Sequence, residues 1–524
     1  MNRPTGMALG KRKHKQDELF IPTVRLATGP GHPFYSKLNQ VLVEGGFDDF
    51  TERLCAPYYK DGGRPGIPPG TYFRMLFIGY FEGIDSQRGI AWRCADSLSL
   101  RTFLGVSWTE ATPVHASMTI IRQRLPESVY DKVFVFALGL LEQKGVLRGK
   151  TLAIDATTLE ANAAMKTIVR KDTGADWKEY LRTLAKAEGL ENPSDQDLRR
   201  LDRKRQDKKA SNDDWESPSD PDARIAKMKN GTTHLAYKAE HAVDLASEAI
   251  VAATVTYADK SDAASAPDTL QLAQSNLVLA GSQTQVQEAV ADKGYHDNQL
   301  ISEVAQQGVR TYIPEKKRKG QRHWTDKPAE YEQHFRANRQ RVRSEKGRRL
   351  NRLRSERCER TFAHVCETGG GRRMWVRGQT NASKLHTIRC AGYNLGLLMR
   401  KAFGMGKPRS WERGRAGSFL AFVTWAMLVV VLVRGATSPF FWPVTILWFT
   451  AALTVFVYIT FKCQKKRHFL TGCYTTVIEA AEPLDRQRGC YVLQSYSAGG
   501  ELRCVERFSL AQILARDDDF IPRF

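Results

Sequence analysis

The chain has 524 residues, with 79 Lys and Arg against 57 Asp and Glu, a net charge of +22 and a pI near 9.6. Its length exceeds one typical domain and predicts about two to four folded parts. The basic excess predicts a polyanionic partner, most simply nucleic acid, although anionic lipid attracts the same charge. The nine Cys include no CxxC pair and no zinc spacing, and their odd, scattered distribution in a chain without a signal peptide predicts reduced thiols in the cytoplasm.

The sequence of the N-terminal part predicts a flexible tail followed by a set of helices. Residues 1–30 are basic, lack the apolar segment of a secretion signal and predict a flexible tail. Residues 31–149 show helical periodicity, with a Gly-Gly break in FYSKLNQVLVEGGFDDFTERL and a Pro-led helix start in GIPPGTYFRMLFIGYFEGI. We predict an all-α, DNA-binding domain here. The candidate DNA contacts, for which ordinary charged helix faces are the alternative, are Arg88, Arg93, Arg101, Arg122 and Arg124.

A first candidate catalytic acid follows a short apolar strand. KTLAIDAT, beginning at Lys150, predicts a strand that becomes polar at Asp155, as expected where an acid emerges at the carboxyl end of a sheet. A buried carboxylate is costly to keep charged, so converging acids suggest a divalent cation bound through oxygen ligands. Residues 160–232 are then highly charged and predict either a flexible insertion or a DNA-facing loop region.

A second acid ends a later strand. THLAYKAEHAVDLASEAIVAATVTYAD alternates around a break near Ser247 and predicts two antiparallel strands. A helix follows, then the strand VQEAVAD ending at Asp292, then helix HDNQLISEVAQQG and strand VRTYIP. This order indicates a mixed α/β sheet, in which neighbouring strands could place Asp155 and Asp292 side by side.

A strongly basic segment and a third acid come next. Residues 310–360 contain 18 Lys or Arg and 7 Asp or Glu, which is typical of a surface that follows a phosphate backbone. The helix GRRLNRLRSERCERTFAHVCET places Glu359 on one stripe with Phe362 and Cys366. Because the other two are apolar, we predict that this stripe faces the sheet and carries Glu359 inward. Glu356, on a different stripe, is the alternative third acid.

Several long motifs resemble DDE transposases of bacterial insertion sequences. They are IDATTLEAN around Asp155, DPDARIAKMKNGTTHLAYKAEHAVD, VADKGYHDNQ around Asp292, ERTFAHVCETGGGRRMWVRGQTN from Glu359, and AGYNLGLLMRK, similar to the family's closing helix. The resemblance covers about residues 34–409. It implies an α/β fold in which an RNase H-like mixed sheet, flanked by helices, forms a catalytic core at residues 150–409 after the all-α domain.

The resemblance also implies an activity. Asp155, Asp292 and Glu359 would be the catalytic triad and would hold Mg²⁺ or Mn²⁺, as two ions, for cleavage at the element's ends and joining to a target. The partners would be double-stranded DNA, as terminal repeats and as target, and a second copy of the chain, because two DNA ends must meet. The predicted function is therefore DNA transposition, with a homodimer as the expected assembly.

Further residues follow from the same motifs. The predicted DNA contacts are Lys293, His296, Arg360, Arg372, Arg373 and Arg377. Asp244, on the neighbouring strand, is a candidate to support the metal ligands by hydrogen bonds. Many family members have Arg four residues before the catalytic Glu and Lys seven after it, whereas this chain has Ser355 and Cys366. A catalytically inactive protein that binds element ends, as a repressor, is therefore the alternative function.

The C-terminal part differs in composition. Two nearly uncharged runs, 416–433 and 439–461, are long enough to cross a bilayer core of about 30 Å and have basic residues at their outer ends. We predict a transmembrane two-helix apolar hairpin at 410–468, which would associate an otherwise cytoplasmic protein with a membrane; an apolar helix without a membrane role is the alternative. Residues 469–524 predict a small appendage with strand-like CYVLQSY and LRCVERF.

Overall fold

The computed structural model describes residues 31–60, 66–107, 109–204, 211–228, 231–316, 324–408, 490–496 and 502–509. The predicted basic tail and the predicted membrane hairpin at 416–461 lie outside these residues. Within the described ranges, every helix is too short or too polar to cross a bilayer.

Helices form the first part of the described chain, as predicted. They are α1 (Pro33–Glu44), α2 (Phe47–Cys55), α3 (Pro69–Glu82), α4 (Gln87–Asp96), α5 (Leu98–Leu104), α6 (His115–Arg124) and α7 (Glu127–Gln143). The Gly-Gly break between α1 and α2 is confirmed, and Gly46 adopts a left-handed φ of 69° that favours glycine. Pro69 opens α3, where a missing backbone N–H costs nothing.

A mixed sheet follows this helical part. The strands are β1 (Thr151–Glu160), β2 (Val169–Arg170), β3 (Trp215–Glu216), β4 (Arg224–Lys227), β5 (Thr233–Asp244), β6 (Ile250–Tyr257), β7 (Glu288–Ala291) and β8 (Arg310–Tyr312). The main sheet has the order β4-β5-β1-β7-β8, with β6 also paired to β5, while β2 and β3 form a separate pair. β5 is antiparallel to β1 and β6, whereas β7 is parallel to β1 and β8. The predicted mixed sheet is confirmed.

The strand that carries Asp155 is longer than expected. We predicted that it would end near the acid, but β1 continues to Glu160 because β5 pairs with it along Leu152–Glu160. Only the parallel pairing with β7 stops earlier, at Ile154. Asp155 therefore lies inside a strand, at the point where one of its two neighbours ends.

Seven further α-helices in the described part of the chain lie between or after the strands, and some of them cover the two faces of the sheet. They are α8 (Trp177–Ala187), α9 (Asp195–Lys204), α10 (Asp262–Leu279), α11 (Asn298–Gln306), α12 (Ala329–Arg343), α13 (Glu345–Phe362) and α14 (Gln379–Phe403). α10 packs against β5 and β6, while α13 packs against β1, β7 and β8. α14 packs against β5 and β6 and also against α3 and α7, so it joins the helical part to the sheet. A π-helical turn, Ala363–Thr368, continues α13.

The charged stretch 160–232 folds in its described parts, contrary to the predicted flexible or looped insertion. Helices α8 and α9 bury a small apolar cluster of their own, Leu181, Ala185, Leu198 and Leu201. Asp176 caps α8 by accepting a hydrogen bond from the Glu179 amide at 2.8 Å. The sequence prediction failed because the high charge of these helices lies on their outer faces and hides the short apolar stripe.

Near the C-terminus the structure describes one antiparallel pair. β9 (Cys490–Tyr496) pairs with β10 (Leu502–Ser509), which confirms the two strands expected from CYVLQSY and LRCVERF. This pair belongs to a compact unit of its own.

Candidate active site

The register of the sheet brings the first two acids to neighbouring positions. Ile154 pairs with Ala291 in the parallel β1–β7 ladder, and the next residues are Asp155 and Asp292. Adjacent strands lie about 5 Å apart, so the two acids begin from neighbouring backbone positions at the end of this ladder. α13 packs against both strands, and Asp292, directly after β7, caps the short helical turn Lys293–Tyr295.

An arginine from α13 contacts the first acid. Arg354 Nη1 lies 2.9 Å from Asp155 Oδ2, and both side chains are largely buried, with 15% and 23% exposure. One turn further along α13, Cys358 is fully buried; burial raises the pKa of its thiol, and the charge of Asp155 raises it further. α13 therefore lies directly over Asp155. Sequence reasoning missed Arg354, although its position four residues before Cys358 places both on one face.

The two candidates for the third acid lie on different sides of α13. Glu359 follows Cys358 and is close enough to raise the pKa of that thiol, after burial and Asp155. Glu356 is about half exposed and forms an ion pair with Arg360, which also binds Glu248 at 2.8 Å. Glu359 is exposed, so the predicted inward direction is wrong, while Phe362 and Cys366 are buried as predicted.

The reason is the helix geometry. Leu350, Cys358 and Thr361 define the buried face of α13, and Glu359 is turned by about 100° from Cys358. Glu359 thus lies at the edge of that face, whereas Glu356 is turned by about 200° and lies on the far side. Of the two, only Glu359 lies close enough to Cys358 to be among the charges that raise the pKa of its thiol.

A further carboxylate lies beside Asp292 and was missed from the sequence. A Cβ atom at Gly294 would lie 2.8 Å from both Asp292 Oδ1 and Asp262 Oδ2, so these two oxygens flank the Gly294 backbone. Asp292 also accepts a hydrogen bond from the Gly294 amide at 2.7 Å. Asp262, at the start of α10, binds the buried Lys238 at 2.7 Å. No local signal marks Asp262, because its proximity to Asp292 arises only from the docking of α10 on the sheet.

Gly294→Ala is expected to disturb this arrangement. The added methyl group would overlap two carboxylate oxygens, one of which belongs to Asp292. We expect a loss of about 1–3 kcal/mol of unfolding free energy, measured by urea denaturation. Gly308→Ala is the comparison: Gly308 has no neighbouring atom within 4 Å of an added methyl group, so any loss there comes from its φ of 77° alone. A Gly294→Ala chain as stable as the wild type would contradict the close packing around Asp292.

The predicted DNA contacts fall into two groups. Lys293, Arg373 and Arg377 are exposed. Arg360 is held between Glu248 and Glu356, and Arg372 binds Glu367 and reaches the Thr158 carbonyl oxygen at 3.1 Å. These two arginines therefore hold the fold together through internal contacts. His296 is buried, with its ring edge against Phe335, which does not fit the expected exposed contact.

Asp244 does not lie beside the acids. It pairs with Leu152, three residues along the ladder from the Asp155 position, which is about 10 Å along the strand. Its carboxylate accepts hydrogen bonds from the amides of Arg148, Ala246 and Ser247 and from the Ser247 hydroxyl. Asp244 thus stabilises the β5–β6 turn, because an Asp at the end of a strand can accept hydrogen bonds from the backbone amides of the turn that follows.

Two family models match the chain over the regions just described. A model named Transposase domain (DUF772) matches residues 25–124, and a model named Transposase DDE domain matches residues 149–395. Neither curated proteins nor solved structures show a significant match. The two models cover the helical part and the sheet with its flanking helices. The chain belongs to the DDE transposases of the insertion-sequence type.

Proposed function

We propose that this transposase cleaves DNA at the ends of its element and joins them to target DNA by metal-dependent phosphoryl transfer. The observation that carries the proposal is the β1–β7 register, which brings Asp155 and Asp292 to neighbouring backbone positions, with Arg354 of α13 against Asp155. We further propose that residues 31–149 form a DNA-binding domain and residues 150–409 an RNase H-like catalytic core. The central position of β1, between antiparallel β5 and parallel β7, supports that assignment.

The donor set fits a hard divalent cation. Asp155, Asp292 and Glu359 offer carboxylate oxygens, the ligand type that Mg²⁺ and Mn²⁺ prefer. When bound, such ions lower the pKa of water and stabilise the charge on attacking and leaving oxygens. Arg354 forms an ion pair with Asp155, and the Asp155 carboxylate would contact both this arginine and a bound cation. The guanidinium of Arg354 could also bind a DNA phosphate beside the acids.

Two exposed arginines lie on the same side of α13 as Glu359. Arg348 and Arg352 precede Glu359 by eleven and seven residues, spacings that keep all three on one flank of the helix. We propose that these arginines, with Lys293 and Arg377, hold the DNA backbone near the acids. Two other arginines of 310–360 form surface ion pairs, Arg336 with Glu332 and Arg339 with Glu315, and remain largely exposed.

Glutamine substitutions at the two glutamates test the site. Glu359→Gln should lower DNA cleavage and strand transfer by about a hundred-fold or more, equivalent to about 3 kcal/mol of transition-state stabilisation. Glu356→Gln should stay within about threefold of the wild type, because Glu356 lies on the far side of α13. The assay uses labelled duplex carrying the element's ends with Mg²⁺, and with Mn²⁺ as a second metal.

Each outcome has a clear meaning. The reverse pattern would move the third acid to Glu356. Binding of the ends without cleavage by the wild-type chain, under both metals, would overturn the catalytic proposal in favour of an inactive end-binding protein. We also propose a homodimer, because two DNA ends must be joined together, and a cytoplasmic location, where the DNA is.

A further inference from the structure

A second cluster of potential metal ligands lies in the core beside the acids. His241 on β5 and His386 and Cys390 on α14 each have 0% exposure. Their ligand atoms all lie within 4.8 Å of one another: His241 Nε2 is 2.8 Å from His386 Nε2 and 3.4 Å from Cys390 Sγ. His386 and Cys390 are one helical turn apart and therefore face the same way. We propose that these three residues form a binding site for a transition metal of the Zn²⁺ class, separate from the carboxylates.

The hydrogen bonds around His241 fix which ring nitrogen faces the cluster. The Thr361 hydroxyl donates to the Cys358 carbonyl oxygen at 2.9 Å, so it can only accept from His241 Nδ1, 3.2 Å away. Nδ1 therefore carries the hydrogen, and Nε2 presents its lone pair to His386 and Cys390. Metal-binding histidines commonly have this arrangement, with one nitrogen donating to the protein and the other free to coordinate.

Without a cation, a single hydrogen bond between their Nε2 atoms joins the two imidazoles. With the lone pair of His241 Nε2 directed at it, His386 must donate from Nε2, and this leaves its Nδ1 as an acceptor. That Nδ1 is buried and has no hydrogen-bond partner among the residues that the structure describes. A cation bound at both Nε2 atoms would replace the hydrogen bond between the rings and move the hydrogen of His386 to Nδ1.

The distances and the atom types favour a borderline-soft ion over Mg²⁺. Zn²⁺ binds imidazole nitrogen at about 2.0–2.1 Å and thiolate sulfur at about 2.3 Å, and tetrahedral angles then separate N and S by about 3.5 Å. The observed 3.4 Å between His241 Nε2 and Cys390 Sγ agrees with this spacing. The Nε2 atoms of His241 and His386, now 2.8 Å apart, would have to move about 0.5 Å further from each other to bind the ion.

A metal here would connect the closing helix to the strand next to the active site. His241 pairs with Asp155 in the β1–β5 ladder, and its ring stacks on Phe362 of α13 at 4.1 Å between centroids. An ion held by His241, His386 and Cys390 would tie β5 to α14 at the position beside Asp155. Its binding would release the thiol proton of Cys390, since the thiolate is the ligand.

The test is metal analysis of the purified full-length chain. We expect about one zinc ion per chain after gel filtration in buffer without added metal. After removal of zinc and addition of Co²⁺, we expect a thiolate-to-cobalt absorption band. Cys390→Ser and His386→Gln should lose the zinc and the band, whereas Cys358→Ser, a buried thiol outside the cluster, should keep both.

Further controls separate the new site from the carboxylates and from loss of folding. Asp155→Asn should keep the zinc and the cobalt band, because its oxygens are not ligands of this site. Zn²⁺ should raise the Tm of the metal-free wild type but not that of Cys390→Ser. A folded wild-type chain, verified by circular dichroism, that holds no stoichiometric zinc and shows no cobalt band would overturn the proposal. So would a cobalt–thiolate band that survives in Cys390→Ser.

Discussion

Replacement of Asp155 or Asp292 by Asn should lower DNA cleavage and strand transfer by about a thousand-fold or more, which corresponds to about 4 kcal/mol of transition-state stabilisation. Asn keeps the size of the side chain but removes the charge that a divalent cation requires. At Asp292, Asn can still accept the Gly294 amide hydrogen bond through its own oxygen, so the backbone should stay in place. The measurement is cleavage of end-labelled duplex with Mg²⁺.

A surface acid provides the matched control for these two variants. Asp268 on α10 has a side chain that is 74% exposed and pairs only with Lys260 among the contacts described. Asp268→Asn should cleave DNA as the wild type does, within about twofold. All three variants should bind end-containing DNA, because the basic residues are unchanged. Near-normal cleavage by Asp155→Asn would remove Asp155 from the catalytic site.

Glu240→Ala should cause the largest loss of stability, about 3–5 kcal/mol, because it removes a buried charge near the Lys238 ammonium and the carboxylate acceptor of three buried hydroxyl groups. The Glu240 side chain is 1% exposed and accepts hydrogen bonds from Ser265 at 2.7 Å and Tyr295 at 2.8 Å. Thr269 donates to its second oxygen, and the Lys238 ammonium lies 3.9 Å away. Equilibrium unfolding in urea, followed by circular dichroism, measures the loss.

The glutamine variant separates charge from hydrogen bonding at this position. Glu240→Gln retains an acceptor for Ser265 and Tyr295, so we expect a smaller loss of about 1–2 kcal/mol. Because Tyr295 lies in the loop that begins at Asp292, Glu240→Ala should also impair cleavage at temperatures where the chain remains folded. A Glu240→Ala chain within 1 kcal/mol of the wild type would contradict the buried network.

The sequence predicted the order of helices and strands well, because period-two and helical patterns are local properties. β5, β6, β7, β8 and α10 all lie where the alternation of apolar and polar residues placed them. The end of β1 could not be predicted in the same way. Residues 156–160 remain in the strand because β5, about 80 positions later in the chain, continues to pair with them.

The roles of individual polar residues in β5 could not be predicted from the sequence either, because they also depend on contacts with distant parts of the chain. Both faces of this strand are covered, by α10 on one side and by α13 and α14 on the other, so polar and apolar positions carry no simple in-or-out signal. Glu240 and His241 are adjacent in sequence yet point to opposite faces, toward α10 and toward α14. Only the packed structure shows that one joins the network around Tyr295 and the other meets His386.

The π-helical turn after α13 changes which side of the helix a residue occupies at a given number of positions from Glu359. Hydrogen bonds in a π-helix join residues five apart, so each turn takes in more residues than an α-turn does. A motif that places Lys seven residues after the catalytic Glu assumes an unbroken α-helix, where seven residues make almost two full turns. Here the seventh residue after Glu359 is Cys366, which is buried, while its neighbour Glu367 is exposed and binds Arg372 at 2.8 Å. A spacing counted for an unbroken α-helix therefore does not tell which side of the helix the residue at this position occupies.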